Sequence, residues 1–328
     1  MRLTGYEKKR VLITGGAGCI GSNLARRLLN LGASVTVLDN LSAGIDWVLP
    51  DEVRFVEGSV TNETDLETAF SAGPELVIHL AALYGNLASL ENPETDLDVN
   101  GRGTLKTLQW AKTTKAKRFV FASSGCSIYG EDAPQPLVED QPPTMHYASF
   151  YQVTKLLGEL YCLLFQKTHG LPTVRLRFFS NYGQHELPGR FRGVVPNFLY
   201  WALKGEPLPI TGTGGETRTF TYVSDLCDGI ARAGITQGID GEAFNLAGGQ
   251  ERTINELAEL VNGLTGNKAG VVYHPRRPWD RIIKQKVSIE KARTVLGYNP
   301  KTSLEDGIGE TVEWFRANWV RIQAEARF

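Results

Sequence analysis

Tyr151 and Lys155 stand four residues apart in the segment SFYQVTKLLGELYC. On a helix that spacing puts both side chains on one face. A phenol ionises near ~10, and an ammonium beside it favours the phenolate. Such a pair could exchange a proton with a sugar hydroxyl near neutral pH. The same spacing also arises on many helices with no chemical role, so it needs company. The segment FVFASSGCSIYG supplies it. Ser123 and Ser124 follow an apolar run, and their hydroxyls could hydrogen-bond a reacting hydroxyl and the tyrosine. In a parallel sheet, ligands bind at the C-terminal ends of strands, where this loop would lie.

A third segment, VLITGGAGCIGSNLARRLL, carries Gly15, Gly18 and Gly21 between an apolar strand and a helix. Glycine there permits a tight turn, close approach of the backbone to a pyrophosphate, and close helix–strand packing. The free N–H groups and dipole of the helix N-terminus then hold the phosphates. Asp39 closes the next strand, where a carboxylate accepts hydrogen bonds from an adenosine ribose and repels a 2′-phosphate. No arginine follows in residues 40–44. Together these features point to NAD rather than NADP.

These groups need a scaffold that gathers them. Short β-branched runs at 10–14, 34–38, 53–56, 76–80, 118–122 and 173–178 predict strands. Helical patterns at 20–31, 64–71, 95–114 and 149–168 fall between or after them. This alternation predicts an α/β fold with a doubly wound, Rossmann-type parallel sheet. After about residue 180 glycine and proline become frequent, with helical pieces at 194–204, 223–233, 254–264 and 304–317. The expected division is a cofactor domain over 1–180, with 219–247 returning to it. A smaller C-terminal α/β substrate lobe takes 181–218 and 248–328.

Composition narrows the partners. The 328 residues carry a formal net charge of −1 and no long basic run, which argues against nucleic acid. Cys19, Cys126, Cys162 and Cys227 match neither a zinc site nor a disulfide framework. They read as free thiols of a reducing compartment. The first residues lack the apolar core of a signal peptide, and no apolar run approaches ~18 residues. The expectation is a cytoplasmic protein with no membrane span and no metal site.

The chain resembles the NAD-dependent epimerase/dehydratase family of extended short-chain dehydrogenases. The stretches that carry the resemblance are TGGAGCIG, VLDNLS, LVIHLAA, VNGRGTLKTL, FASSGCSIYG, YQVTK, RFFSNYG, ETRTFTYVSDL, FNLAGG and KARTVLGYNP. They follow the family's order over nearly the whole chain and are similar to those of UDP-glucose 4-epimerases. The resemblance implies that Ser124, Tyr151 and Lys155 are catalytic, with Asn100 in support. It assigns Cys19, Ile20, Asn40, Ser59, Val60, Leu80, Ala81, Ala82, Ser123 and Phe178 to the cofactor wall, beside the glycines and Asp39. It assigns Cys126, Ser180, Asn181, Val194, Asn197, Arg218, Arg277 and Asp280 to a nucleotide-sugar site. Arg218 and Arg277 would clamp a diphosphate. It also implies a homodimer built on the helices at 95–114 and 149–168.

Several positions depart from the family. Cys19 replaces a bulky residue, and Ser59 stands where relatives carry an adenine-binding aspartate. Ser180 takes the place of a substrate-binding asparagine, with Asn181 one position on. The serine loop is one residue longer than in most epimerases, so an ungapped alignment would put Gly125 at the catalytic serine. A gap restores Ser124.

The family's enzymes first oxidise the hexose at C4, and further residues decide the fate of the 4-keto sugar. The acidic pair of the 4,6-dehydratases is replaced by Cys126 and Ser127, and Ser127 also replaces the glutamate of UDP-glucuronate decarboxylases. With neither acid present, 4-epimerisation is the expected outcome, with dehydration or decarboxylation as alternatives. A cysteine two residues after the catalytic serine also matches 3,5-epimerases, for which His185 is the one candidate second proton carrier. A non-catalytic NAD-sensing regulator on this fold would have lost the tyrosine or the lysine, and both are intact.

Overall fold

Short apolar runs between longer amphipathic stretches assemble into one seven-stranded sheet in the computed structural model, which describes residues 3–277, 279–280 and 282–328. The strands are β1 (Arg10–Thr14), β2 (Ser34–Asp39), β3 (Arg54–Glu57), β4 (Leu76–His79), β5 (Arg118–Ser124), β6 (Thr173–Phe178) and β7 (Ala243–Leu246). Their order is β7-β6-β5-β4-β1-β2-β3, and every neighbouring pair is parallel. Every residue of β4 and β5 is buried, as expected for central strands covered on both faces. The strand order reverses between β1 and β4, which opens a crevice above their C-terminal ends.

The helices follow the expected pattern with two informative departures. Helix α1 (Cys19–Asn30) starts at the glycine loop, and α2 (Glu63–Phe70) is capped by the Asn62 side chain. The stretch at 95–114 is not one regular helix. It runs from Pro93–Asp96 through a wide π-helical turn at Leu97–Gly103 into α3 (Thr104–Thr113). Asn100 in that turn bonds sideways to the backbone of Leu83. A side chain at Gly103 would come 2.6 Å from Val60, so glycine lets the turn press against the cofactor side of the sheet. Helix α4 (Phe150–His169) opens with a reciprocal Ser149/Gln152 capping box and ends at Gly170, whose φ is 66°.

The second departure is β7, for which no strand was expected. It pairs with β6 from Ala243↔Arg175 to Leu246↔Phe178 and closes the sheet's edge. The longer helices that follow are α5 (Val194–Leu203), α6 (Val223–Ile235), α7 (Ile254–Thr265) and α8 (Leu304–Ala317). Helix α6 packs on α1, tied by an Arg27–Asp228 ion pair. Two small strand pairs, Leu208–Thr211 with Val271–His274 and Thr217–Thr219 with Glu251–Thr253, shape the lobe above the crevice. All four cysteines are free. Among the described residues no helix is long and apolar enough to cross a membrane.

Candidate active site

The glycine loop forms a cradle that only glycine permits. Gly15 has φ 71°, and a Cβ there would lie 2.6 Å from the Ala81 nitrogen. A Cβ at Gly21 would meet the Gly16 Cα at 2.4 Å. Gly18 caps α1 without any side-chain bond, so the first-turn N–H groups face outward. They open onto a cavity of about 270 Å³ at the crevice, walled by Gly15, Gly18, Cys19, Ile20 and Gly21. Asp39, Asn40, Ser59, Val60, Leu80, Ala81 and Ala82 complete its lining. Open amide donors, a helix N-terminus and a terminal carboxylate fit a dinucleotide's diphosphate and ribose. Asp39 is buried, and its two oxygens accept from the Ala17 and Leu41 amides, each at 2.9 Å. Burial raises its pKa, while those two bonds and the Arg192 charge oppose the shift.

Ser59 bonds to Thr61 through its hydroxyl and to the Asp65 carboxylate through its amide. A carboxylate from α2 thus reaches the loop where relatives place one at residue 59. Asn100 is buried behind the wall. It clamps Leu83 through both ends of its amide and donates to Asp96 at 2.7 Å. Thr154 donates to the other Asp96 oxygen at 2.8 Å, which links the π-turn to α4. Phe178 is buried at the end of β6 and does not line the cavity.

Tyr151 and Lys155 share the buried face of α4. The Lys155 ammonium donates to the Ala122 carbonyl at 2.9 Å and lies 5.6 Å from the Tyr151 ring centroid. Burial pushes the lysine's pKa down to about 8, against the pull of Asp96. In the protein alone the net shift of the Tyr151 phenol is upward. Burial, then the neighbouring Tyr84 and Cys126, push Tyr151 above its ordinary value, and the Ser124 hydroxyl works the other way. The ammonium itself is directed at the Ala122 carbonyl.

The two serines separate. Ser124 ends β5 beside Tyr151 and accepts a hydrogen bond from Ser127 at 2.9 Å. Ser123 points to the other side of the strand and donates to Glu159 at 2.6 Å, so it does not reach the reacting hydroxyl as expected. There Glu159 meets Arg177 through two bonds of 2.9 Å and Arg175 at 3.1 Å. Gly125 has no room for a side chain, since a Cβ would come 2.0 Å from Phe179. Ser124 is the loop hydroxyl beside Tyr151, in line with the gapped reading.

A second cavity of about 560 Å³ opens beside Tyr84 and Cys126. Its lining includes Cys126, Ser180, Asn181, Val194, Asn197, Arg218, Arg277 and Asp280. Arg218 pairs with Asp280 at 3.1 Å, and Arg277 lies over the Trp279 ring at 5.3 Å. Asn197 uses its amide to hold Gly189 at 2.8 and 3.0 Å. His185, offered as a second proton carrier, is turned away. Its ring bonds Ser22 at 2.9 Å, packs on Trp314 and has a pKa driven down to about 4 by burial.

Sequence reasoning missed residues that the fold delivers from a distance. Tyr84 lines both cavities and meets Tyr151 edge-on at 6.1 Å. Arg192 also lines both and donates to the Ala43 carbonyl beside Asp39. Gln285 is 1% exposed, donates to Cys126 Sγ at 3.1 Å and leaves its own oxygen without a partner. None belongs to a spacing pattern, so no local signal marks it.

A crevice cradle for a dinucleotide, a serine–tyrosine–lysine cluster and an adjoining cavity define an extended short-chain dehydrogenase/reductase scaffold. The chain belongs to the NAD dependent epimerase/dehydratase family, whose model matches residues 11–247, and its cofactor is NAD. A UDP-glucose 4-epimerase of Mycolicibacterium smegmatis is 34% identical, over 94% of this chain and 98% of its own. A UDP-N-acetyl-alpha-D-glucosaminuronate decarboxylase of Bacillus cytotoxicus is 33% identical over the same shares. Among solved structures, an epimerase of Methanothermobacter thermautotrophicus is 46% identical with a TM-score of 0.97, covering 98% of this chain and 96% of that one. WbmF of Bordetella bronchiseptica, solved with NAD+ and UDP, is 36% identical with a TM-score of 0.84, covering 97% and 96%.

Proposed function

We propose that the protein is an NAD-dependent nucleotide-sugar 4-epimerase acting on a UDP-hexose or a close relative. The observation that carries this reading is the absence of a free acid from the reaction loop. Loop residue Ser127 is bonded to Ser124, and Cys126 to Gln285. Among the described residues the carboxylates lining the larger cavity are Glu216 and Asp280. Glu216 accepts from Thr213, and Asp280 pairs with Arg218. Neither is free to protonate a departing hydroxyl. The UDP-bound neighbour and the UDP-sugar relatives support a uridine nucleotide. Residues 181–218 and 248–328 form the substrate lobe in this reading.

Tyr151 reacts as its phenolate, which the positive nicotinamide ring of bound NAD would favour against the burial that raises its pKa. It takes the proton of the C4 hydroxyl, and Ser124 orients that hydroxyl. Lys155 holds the tyrosine's surroundings positive. NAD, when bound, supplies the hydride acceptor and returns the hydride. The 4-keto sugar turns within the larger cavity before Tyr151 gives the proton back. The turned-away His185 speaks against 3,5-epimerisation.

The test is incubation with a panel of nucleotide sugars in D2O, with products read by NMR. The expected result is interconversion of the C4 epimers with no deuterium on sugar carbon, retained largely by Cys126→Ala. Deuterium at C3 or C5 with an inactive Cys126→Ala variant would overturn it. Loss of carboxyl carbon from a uronic acid substrate would favour the decarboxylase reading, which the Bacillus relative supports.

A further inference from the structure

Glu186 lies in the segment between β6 and α5, far in sequence from the glycine loop. Its side chain nonetheless enters the wall of the cofactor crevice beside Cys19, Tyr84 and Arg192. It is 6% exposed, and its Oε2 is buried with no hydrogen-bond partner. A buried carboxyl oxygen left unpaired is costly, so native proteins rarely keep one without a use. Two neighbouring donors are engaged elsewhere. The Cys19 thiol donates to the Gln184 carbonyl at 3.2 Å, and Arg192 donates to Ala43. What remains is the crevice itself, where the uncapped first turn of α1 presents its amides.

We propose that Glu186 is a wall contact of the cofactor's diphosphate, meeting it as a neutral acid that donates a hydrogen bond to a phosphate oxygen. A charged carboxylate at this place would repel the diphosphate, whereas a protonated one completes the ring of donors begun by α1. Burial already pushes the Glu186 pKa up to about 7, with the Arg192 charge opposing it. An arriving dianion pushes it further the same way. Binding above neutral pH therefore takes up a proton, and affinity falls as pH rises. The other titratable groups facing Glu186 are Cys19 and Tyr84, both shifted upward by desolvation and then by the Glu186 charge itself, although the Tyr84 residue is 43% exposed. On the same segment, His185 is turned to Ser22 and neutral. Asp39 reaches the region only through Arg192 and would titrate equally with or without Glu186.

This inference rests on the NAD site alone and stands whatever reaction the sugar undergoes. The test is calorimetric binding of NAD and of ADP-ribose, which keeps the diphosphate but lacks nicotinamide, from pH 6 to 8.5. Both ligands are expected to bind on the order of tenfold more weakly at the top of the range, since one linked proton changes affinity up to tenfold per pH unit. At pH 8, titrations in two buffers of different ionisation enthalpy should show proton uptake by the wild-type protein. Glu186→Gln keeps a donor and should bind with affinity nearly independent of pH and no uptake. An equal pH slope in wild type and Glu186→Gln overturns the proposal. So does a slope seen with NAD but not ADP-ribose, which would put the carboxyl on the nicotinamide. The uptake measurement needs no variant, so its absence in the wild type overturns the proposal even if Glu186→Gln fails to fold.

Discussion

The Lys155 ammonium sits 5.6 Å from the centre of the Tyr151 ring while its proton is held by the Ala122 carbonyl at 2.9 Å. One bond thus fastens α4 to the end of β5, where Ser124 begins the following loop. The lysine serves as an anchor between strand and helix as well as a charge beside the phenol.

Tyr151→Phe should therefore lower turnover by at least about a hundredfold, the scale of a lost proton-transfer group, while NAD and substrate still bind. Ser124→Ala should slow the reaction less. Steady-state kinetics with separate binding measurements check both, and loss of NAD binding in Tyr151→Phe would assign the residue a structural role.

Arg218→Ala and Arg277→Ala should each weaken nucleotide-sugar binding about tenfold to a hundredfold, the range for one hydrogen bond to a charged group. NAD affinity should not change, because both arginines line the larger cavity only. Unchanged sugar-nucleotide affinity in both variants would remove them from the diphosphate site.

Asp39→Ala should reduce the preference for NAD over NADP by removing the charge that repels a 2′-phosphate. Arg192 reaches the same loop through Ala43 and would offer that phosphate a cation. The double variant with Arg192→Ala should lose most of the gained NADP affinity. Equal wild-type affinity for the two cofactors would show that Asp39 does not discriminate.

The exposed face of α4 carries Phe150, Val153, Leu160 and Leu164, and Leu97 is exposed on the π-turn stretch that packs against this helix. An apolar stripe of this kind on a surface helix is expected to be covered by a second copy. Light scattering at micromolar concentration should give a homodimer, and Leu160→Glu a monomer. A monomeric wild type would contradict this.

His79 is buried between Thr14 and Thr104, bonding them at 2.7 and 3.0 Å. Burial, and then the Lys155 charge, push its pKa down to about 3. The unfolded chain takes up this proton near 6.5 and the folded chain does not, so stability falls as pH drops below ~6.5. The slope from this residue is about 1.4 kcal/mol per pH unit. Denaturant titrations between pH 7 and 4 should show a shallower loss in His79→Asn, and identical slopes would reassign acid lability elsewhere.

The chain's local pattern by itself determined the parallel α/β sheet, the cofactor loop, Asp39 and the Tyr151/Lys155 pair. Each is written in adjacent residues: apolar runs set strands, glycines set a turn, and a spacing of four sets a helix face. Other features were decided only by tertiary packing. Ser123 and Ser124 are equal in sequence, but alternation along β5 sends one to Glu159 and the other to Tyr151. Gly125 is barred from carrying a side chain by Phe179, more than fifty positions away. In the wide turn at Leu97–Gly103, Asn100 reaches back to the Leu83 backbone. Arg192, Glu186 and Gln285 gain their surroundings from loops that fold back over the crevice. A contact between distant segments leaves no period and no spacing in the chain, which is why these residues became legible only once the strands had ordered the loops above them.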